Sequence, residues 1–285
     1  MSLPARQYLG GGLHVSASSL RVLRECPRQF YFQYLRGLPR EQVSSRMVLG
    51  TAVHASLELF YRAIMEGGEE PNIDDMVAIA HESIDKAAKG NTPLQYEDGL
   101  GRHELDTEAC RIIEAFMDSP YRPHKVLGVE VPFGVAVVDP QSGNALFEEL
   151  VVGFLDLLVQ DEDGSVAIVD HKVTGRLAVP KSTELDIQLS LYGWAGDELF
   201  GAGTPVELRH HVLVRGKQAV RIKVVDIPRS PNDAAEAFGS VCAGLELISM
   251  IVEHPRPKLL LGRNRSWRCS GCAYQQRCSQ PDENA

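Results

Sequence analysis

The stretch Phe147–Val173, FEELVVGFLDLLVQDEDGSVAIVDHKV, decides how the chain is read. Two runs rich in β-branched and aliphatic residues, Phe147–Gln160 and Val166–Val173, flank Asp161-Glu162-Asp163-Gly164, a polar tetrapeptide ending in glycine. This pattern predicts two antiparallel strands joined by a tight turn. At a period of two residues, Asp170 and Lys172 share one face of the second strand, about 7 Å apart along it, and Val169 and His171 take the other. A carboxylate and an ammonium so placed suit phosphodiester hydrolysis. The carboxylate can hold a hard divalent cation, and the ammonium can orient or deprotonate the attacking water or neutralise developing negative charge. An exposed ion pair on a strand has the same spacing. In the first strand, Gly153-Phe154-Leu155-Asp156 sets a carboxylate inside the apolar run Phe154–Val159, where an unpaired charge is unfavourable. The short turn lets Asp156 approach Asp170 across the ladder, and two neighbouring carboxylates are tolerated mainly with a cation between them. An arginine paired with Asp156 is the alternative.

Working outward, Lys125–Val138 has strand periodicity as well and completes a three-stranded meander, with Glu130 on its polar face as a further acidic contact or a surface residue. A helix over Thr183–Phe200 places Gln188 and Tyr192 at i and i+4, an amide and a phenol on one face that could contact a nucleic-acid backbone or base, or be ordinary surface. Val206–Arg215 and Ala219–Ile227 then read as a hairpin, and Asn232–Glu253 as a last helix. Before the meander come helices: a short one after the capping residues Ser16 or Ser18, then Pro27–Leu35, Met47–Met65, Asp74–Lys89 and His103–Asp118, the last two separated by a polar loop at Gly90–Gly101. His54 lies beside the apolar stripe Val48, Ala52, Val53, Leu57, Phe60 and Ile64, one turn after Gly50. It reads as a metal-completing imidazole or as a hydrogen-bonded boundary histidine. The order of elements predicts an α+β fold of α/β/α type, with a mixed central sheet flanked by helices. One domain, 1–285, would comprise an N-terminal helical region (16–125), a core (126–253) and a basic Cys-rich end (254–285).

With 285 residues, 44% hydrophobic and 24% charged, the chain can bury a full core, which excludes a disordered chain. No apolar run approaches the roughly 18 residues of a membrane span, and the first twelve residues lack a signal-peptide pattern. The expectation is a cytoplasmic protein with no membrane partner. Six cysteines are too few and too unevenly placed for a disulfide framework. Cys269-x-x-Cys272 and Cys278 cluster near the C-terminus, and Cys26 shares their basic, aromatic context; four thiolates suit zinc or an iron–sulfur cluster. Cys110 and Cys242 fall in apolar helical patterns as core thiols. The net charge of −9 argues against a generally basic nucleic-acid coat. It hides an asymmetry, however. Residues 1–62 hold eight Lys and Arg against three Asp and Glu, residues 63–170 hold six against 23, and residues 255–278 hold six against none. Clipped together by the cysteines, the basic ends would form one phosphate-binding surface; apart, they are solvated charge on separate faces.

In chain order, His54, Asp156, Asp170-x-Lys172 and Gln188-x-x-x-Tyr192 resemble the RecB-type branch of the PD-(D/E)XK nuclease superfamily. Cys26-Pro27 at the start and Cys269, Cys272 and Cys278 at the end resemble its iron-staple members, among them the AddB nuclease domain and the iron–sulfur nucleases of CRISPR adaptation. The likeness runs from residue 16 to 278. It implies a restriction-endonuclease-like core and a metal-dependent DNA nuclease, most often an exonuclease acting on duplex ends or single strands, in repair, recombination or CRISPR adaptation. By the same resemblance His54, Asp156 and Asp170 would bind Mg or Mn, Lys172 would assist the water, and Gln188 and Tyr192 would steady DNA. The four cysteines would hold a structural 4Fe-4S cluster, with zinc as the alternative. The chain has no G-x-x-x-x-G-K-[ST] phosphate loop, so any motor partner is a separate helicase, and CRISPR adaptation proteins are the other class of partner. A non-catalytic DNA-binding subunit and a zinc-stapled scaffold are the competing readings. The complete set of metal and lysine residues argues against the first, and colour tests the second.

Overall fold

The computed structural model describes residues 15–97, 100–175, 187–201, 203–257 and 260–280. In chain order its elements are α1 (Ala17–Glu25), α2 (Pro27–Phe30) continued by a π turn (Tyr31–Leu35), β1 (Val43–Ser44), α3 (Ser45–Met65), α4 (Ile73–Lys89), β2 (Leu94–Gln95) and α5 (Arg102–Met117). There follow β3 (Lys125–Val138), β4 (Ala145–Gln160), β5 (Val166–Thr174), α6 (Ile187–Phe200), β6 (Val206–Arg215), β7 (Val220–Asp226), α7 (Pro231–Glu253), a 3₁₀ turn (Trp267–Gly271) and α8 (Gln275–Ser279). Local chemistry sets the helix starts. Ser16, Ser44, Asn72 and Ser230 each accept a backbone N–H of the first turn of α1, α3, α4 and α7, satisfying donors the helix leaves unpaired.

Strands β3 to β7 form one sheet in sequence order, antiparallel except for the parallel pair β5–β6, where α6 makes the crossover. This is the mixed sheet that the order of elements predicts, and the architecture of a restriction-endonuclease-like core. Helices cover both faces. Helices α3, α4 and α5 bury Leu57, Phe60, Met76 and Ile112 against Leu157, Val169 and Leu213 on one side. On the other, Leu189, Tyr192 and Ala195 of α6 pack on Leu158, Ile168 and Leu208. A third cluster joins the two ends of the chain: Leu20, Phe30 and Phe32 pack with Val241, Leu245, Leu261 and Tyr274. At Gly244 α1 comes so near α7 that a Cβ would lie 2.3 Å from Leu20 Cδ2, so a larger residue there would require the Leu20 side chain to shift.

Three details depart from the sequence reading. The loop expected at Gly90–Gly101 contains β2, which pairs in parallel with β1; two residues are too short to show a period. The expected helix Pro27–Leu35 changes to π geometry at Tyr31. Helix α7 is long and apolar enough, by length and composition, to pass as a membrane span, contrary to the expectation that no such stretch exists. Its hydrophobicity is diluted by Gly239, Ser240, Gly244 and Ser249, so no unbroken apolar run appears, and Val241, Leu245, Ile248 and Ile251 are spent on the core. The first residues of the expected helix Thr183–Phe200 lie outside the described residues.

Candidate active site

The ladder between β4 and β5 runs from Gln160↔Val166 to Leu157↔Val169 and stops there. The next residue on each strand is an aspartate, Asp156 and Asp170. Instead of a main-chain pair, Asp156 Oδ2 accepts the His171 N–H at 2.8 Å. On the other side of β4, the pairs Val129↔Leu157 and Val131↔Leu155 bracket Glu130 opposite Asp156. Glu130 has φ of 50°, alone among the described non-glycine residues in being positive, a conformation that costs about 1–3 kcal/mol and survives only where the surroundings impose it. From the helical layer, α3 brings His54. Ligating atoms of His54, Glu130 and Asp156 lie within 4.8 Å of one another.

The protonation of this group follows from its hydrogen bonds. His54 Nε2 lies 2.9 Å from the His171 carbonyl oxygen, which can only accept, so Nε2 carries the proton and Nδ1 presents its lone pair. That Nδ1 is 3.7 Å from Asp156 Oδ2. The main chain of His171 thus holds Asp156 through its N–H and His54 through its C=O, the arrangement by which proteins orient a ligating imidazole. Among the described residues Asp156 pairs with no arginine; the neighbour on that side is the His54 imidazole. Burial, then the charge of Asp170, pushes the Asp156 carboxyl up to about 6. Burial, then Asp156 and Glu58, pushes Glu130 up to about 7, with Arg62 opposing. Two reluctant carboxylates and an imidazole lone pair are a donor set that fits a hard or borderline divalent cation, which would displace the protons.

A pH-dependent stability follows. A carboxyl whose folded pKa is raised binds its proton more tightly in the native state. The metal-free protein is therefore expected to lose stability as the pH rises from about 4 through 7. Mn²⁺ should restore it, so the melting-temperature gain with Mn²⁺ will be large at pH 8 and absent at pH 5, measured by calorimetry. A gain equal at both pH values would contradict the assignment.

Asp170 turns into a second, contiguous network. It is 1% exposed, and Lys172 Nζ lies 2.8 Å from its Oδ2. Lys172 also donates to Gln188 Oε1 at 3.0 Å, Gln188 Nε2 donates to the Tyr192 hydroxyl at 2.7 Å, and that hydroxyl is 3.5 Å from Asp170 Oδ1. The ring Asp170–Lys172–Gln188–Tyr192 is closed. Burial first, then Asp170 and Asp156, raise the Tyr192 phenol far above its usual range, so it stays a neutral donor. The predicted residues therefore fall into two groups, His54 with Glu130 and Asp156, and Asp170 with Lys172, Gln188 and Tyr192. They meet where the charges of Asp156 and Asp170 interact. A Cβ at Gly50 would meet nothing within 4 Å, so the approach along α3 is open.

Sequence reading missed His210. In the parallel register of β5 and β6 it stands opposite Asp170, and its Nε2 is 3.5 Å from Asp170 Oδ2. The adjacent His211 meets His171 Nδ1 to Nδ1 at 3.1 Å, and His171 stacks on Tyr61 with centroids 5.6 Å apart. Burial lowers both imidazoles, His211 to about 4, so this layer beneath the site is neutral. The signal was the His210-His211 pair on a strand, which gains meaning only once the register is known.

The cysteines form a separate constellation. Cys26, Cys269, Cys272 and Cys278 line one cavity of about 260 Å³, with Arg28, Arg263 and Arg265 on its wall. Burial raises the Cys272 thiol, followed by the proximity of Cys26, Cys278 and Cys269. Hydrogen bonds tie this segment to the N-terminal one: Asn264 to the Glu25 carbonyl, Arg28 to that of Leu261, the Tyr274 hydroxyl to that of Leu38, and the Glu41 N–H to that of Ala273. The two basic ends meet. Cys110 and Cys242 lie away from this cavity, on α5 and α7, half-buried.

A sequence profile of the PD-(D/E)XK nuclease superfamily matches residues 14–279, which span the meander, the crossover helix and both networks. The chain belongs to this superfamily. PD-(D/E)XK proteins are nucleases that use divalent metals, and the group His54, Glu130 and Asp156 is a possible place for one in this PD-(D/E)XK chain. No curated protein shows a significant sequence match. Among solved structures, one titled "Crystal structure of SSO0001" is 10% identical, with 92% of each chain covered and a TM-score of 0.33, a likeness that carries no functional argument.

Proposed function

We propose that this chain is a RecB-type PD-(D/E)XK nuclease that hydrolyses DNA phosphodiester bonds at ends or in single strands, with Mg or Mn. The carrying observation is the convergence of the His54 Nδ1 lone pair with two carboxyls of raised pKa, on backbone strained at Glu130. His54, Asp156 and Asp170, with Glu130 as a further ligand, would hold the metal. Bound there, it supplies Lewis-acid polarisation of the phosphate and acidifies water. Lys172, steered by Asp170 and Gln188, faces the attacking water and offsets the charge that grows on the phosphorane oxygens. Gln188 and Tyr192 steady the phosphate. The water gives up a proton to solvent as its oxygen bonds to phosphorus, and the departing nucleotide oxygen takes a proton from solvent as its bond to phosphorus breaks. End-labelled single- and double-stranded DNA incubated with Mg, Mn or EDTA tests this: metal-dependent shortening from an end is expected, and a chain inert on both substrates with either metal refutes it.

The four cysteines would carry a structural 4Fe-4S cluster. All four line one cavity of about 260 Å³ where the two ends of the chain meet, which supports a single group held by all of them, with zinc as the alternative. A reducing cytoplasm suits it, and a separate helicase or the proteins of CRISPR adaptation would be the partners. The joined basic ends would bind the phosphate backbone, so affinity for DNA should fall steeply with salt. Removing charge at Arg263, Arg265 or Arg268 should lower the slope of log K against log salt by about 0.7–0.9 for each phosphate no longer neutralised. A binding constant indifferent to salt would exclude this surface.

A further inference from the structure

Trp267 is 81% exposed, and the next most exposed large apolar side chain among the described residues, Met250, reaches only 58%. The indole is not on a loose tip. Ser266 accepts the Arg268 N–H, Ser266 and Cys269 close a capping box, and the Ser270 hydroxyl donates to the Trp267 carbonyl at 2.9 Å. Gln95 Nε2 anchors the same turn through the Ser270 carbonyl at 3.1 Å. The Arg268 guanidinium lies 5.3 Å from the ring centroid and pairs with Glu25. In the sequence, residues 255–278 hold six Lys and Arg and no acidic residue, while Glu25 and Glu41 pair with Arg268 and Arg277 and Glu97 lies against Gly271. An exposed indole on an anchored turn, in a segment whose own charged residues are all basic, is complementary to a flat, apolar ring on a polyanion, which is what a single-stranded nucleic acid offers.

The turn also lies at the head of a lane to the site. Gln95 pairs with Ser44, the N-cap of α3. Ten residues on, about 15 Å along the helix, stands His54. Between them the outward stripe of α3 is Met47, Gly50 and Thr51, at i, i+3 and i+4 of the series that His54 completes at i+7. Small side chains keep it low at its middle, and the open space over Gly50 leaves room for a backbone. Arg46 stands exposed at its start, paired with Glu97.

We propose that Trp267 is a stacking platform for a base of single-stranded DNA, a few nucleotides from the bond cut, and that the strand runs from it along the outward stripe of α3 to His54. The proposal rests on the nuclease reading for the identity of the polymer, but not on turnover. The test is anisotropy of labelled oligo(dT) binding to the full-length protein in EDTA. Stacking on one base is worth about 1–3 kcal/mol, so Trp267→Ala should weaken binding about 5- to 150-fold. Trp267→Phe should keep most of the affinity, and a blunt duplex of equal length should be affected less. Tryptophan emission supplies a second readout. Trp194, the other tryptophan, is packed against Phe238, so quenching by oligo(dT) should come from Trp267 and vanish in the alanine variant. Unchanged oligo(dT) affinity in Trp267→Ala, a loss confined to duplex, or a wild type that does not bind oligo(dT) overturns the platform. The two readings fail separately: stacking without cleavage in Mn sinks the nuclease alone, and cleavage with an indifferent Trp267 sinks the platform alone.

Discussion

Replacing Asp156 by asparagine is expected to abolish DNA cleavage while making the metal-free protein more stable at pH 8. The side chain keeps its shape, and the amide oxygen still accepts the His171 N–H that closes the gap at the end of the β4–β5 ladder. What disappears is a charge that burial and Asp170 both oppose. With the carboxyl raised from 3.8 to about 6, the gain is on the order of 1–3 kcal/mol at pH 8 and fades toward pH 4, where the native carboxyl is already neutral. A residue present for structure would behave in the opposite way. Lys172→Ala complements this test: cleavage should fall about 10²–10⁴-fold, the range for a group assisting proton transfer. Its stability should fall too, since Asp170, at 1% exposure, is left beside His210 and Tyr192 without its ammonium. Single-turnover cleavage and calorimetry on both variants decide the matter. Near-wild-type cleavage by either, or a destabilised Asp156→Asn protein, would remove these residues from the reaction.

Much of this arrangement was legible because strands impose a strict period. Asp170 and Lys172 had to share a face, and Asp156 stood out as a charge in an apolar run, so both could be named without coordinates. Gln188 and Tyr192 followed from helical spacing, and they do hydrogen-bond to each other. Positions set by non-local contacts were not legible. Glu130 could be named as an acidic contact, but not its left-handed backbone or its closeness to His54, which depend on how α3 crosses β3. His210 needed the parallel register, fixed by a crossover whose first residues lie outside the described ones. The β1–β2 pair, two residues long, carries no periodic signal, yet through Gln95 it anchors the turn that presents Trp267.

The second large effect is expected far from any metal-site residue. On the proposed iron–sulfur staple, Cys26→Ala should remove iron, lower the melting temperature and weaken the hold on DNA. Residues 26 and 269 have 242 positions between them, so a group that bridges them closes a very long loop in the unfolded chain. By analogy with a cross-link over a comparable loop, the contribution is on the order of 5 kcal/mol. The native contacts between the ends would not replace it. The hydrogen bonds from Asn264, Arg28 and Tyr274 and the packing of Phe32 on Tyr274 hold the ends together once folded, but they do not restrict the unfolded chain. Weaker DNA binding follows from the same geometry, because Arg263, Arg265 and Arg268 ride on the segment that the cysteines fix. Cleavage at saturating DNA should change little, since His54, Asp156, Asp170 and Lys172 stand on α3, β4 and β5, so the loss should fall on KM more than on kcat. Iron content, calorimetry and salt-dependent DNA binding on anaerobically purified protein measure the three effects together. A Cys26→Ala protein with its full iron complement and an unchanged melting temperature would show that residue 26 is no ligand and that the ends are joined by packing alone.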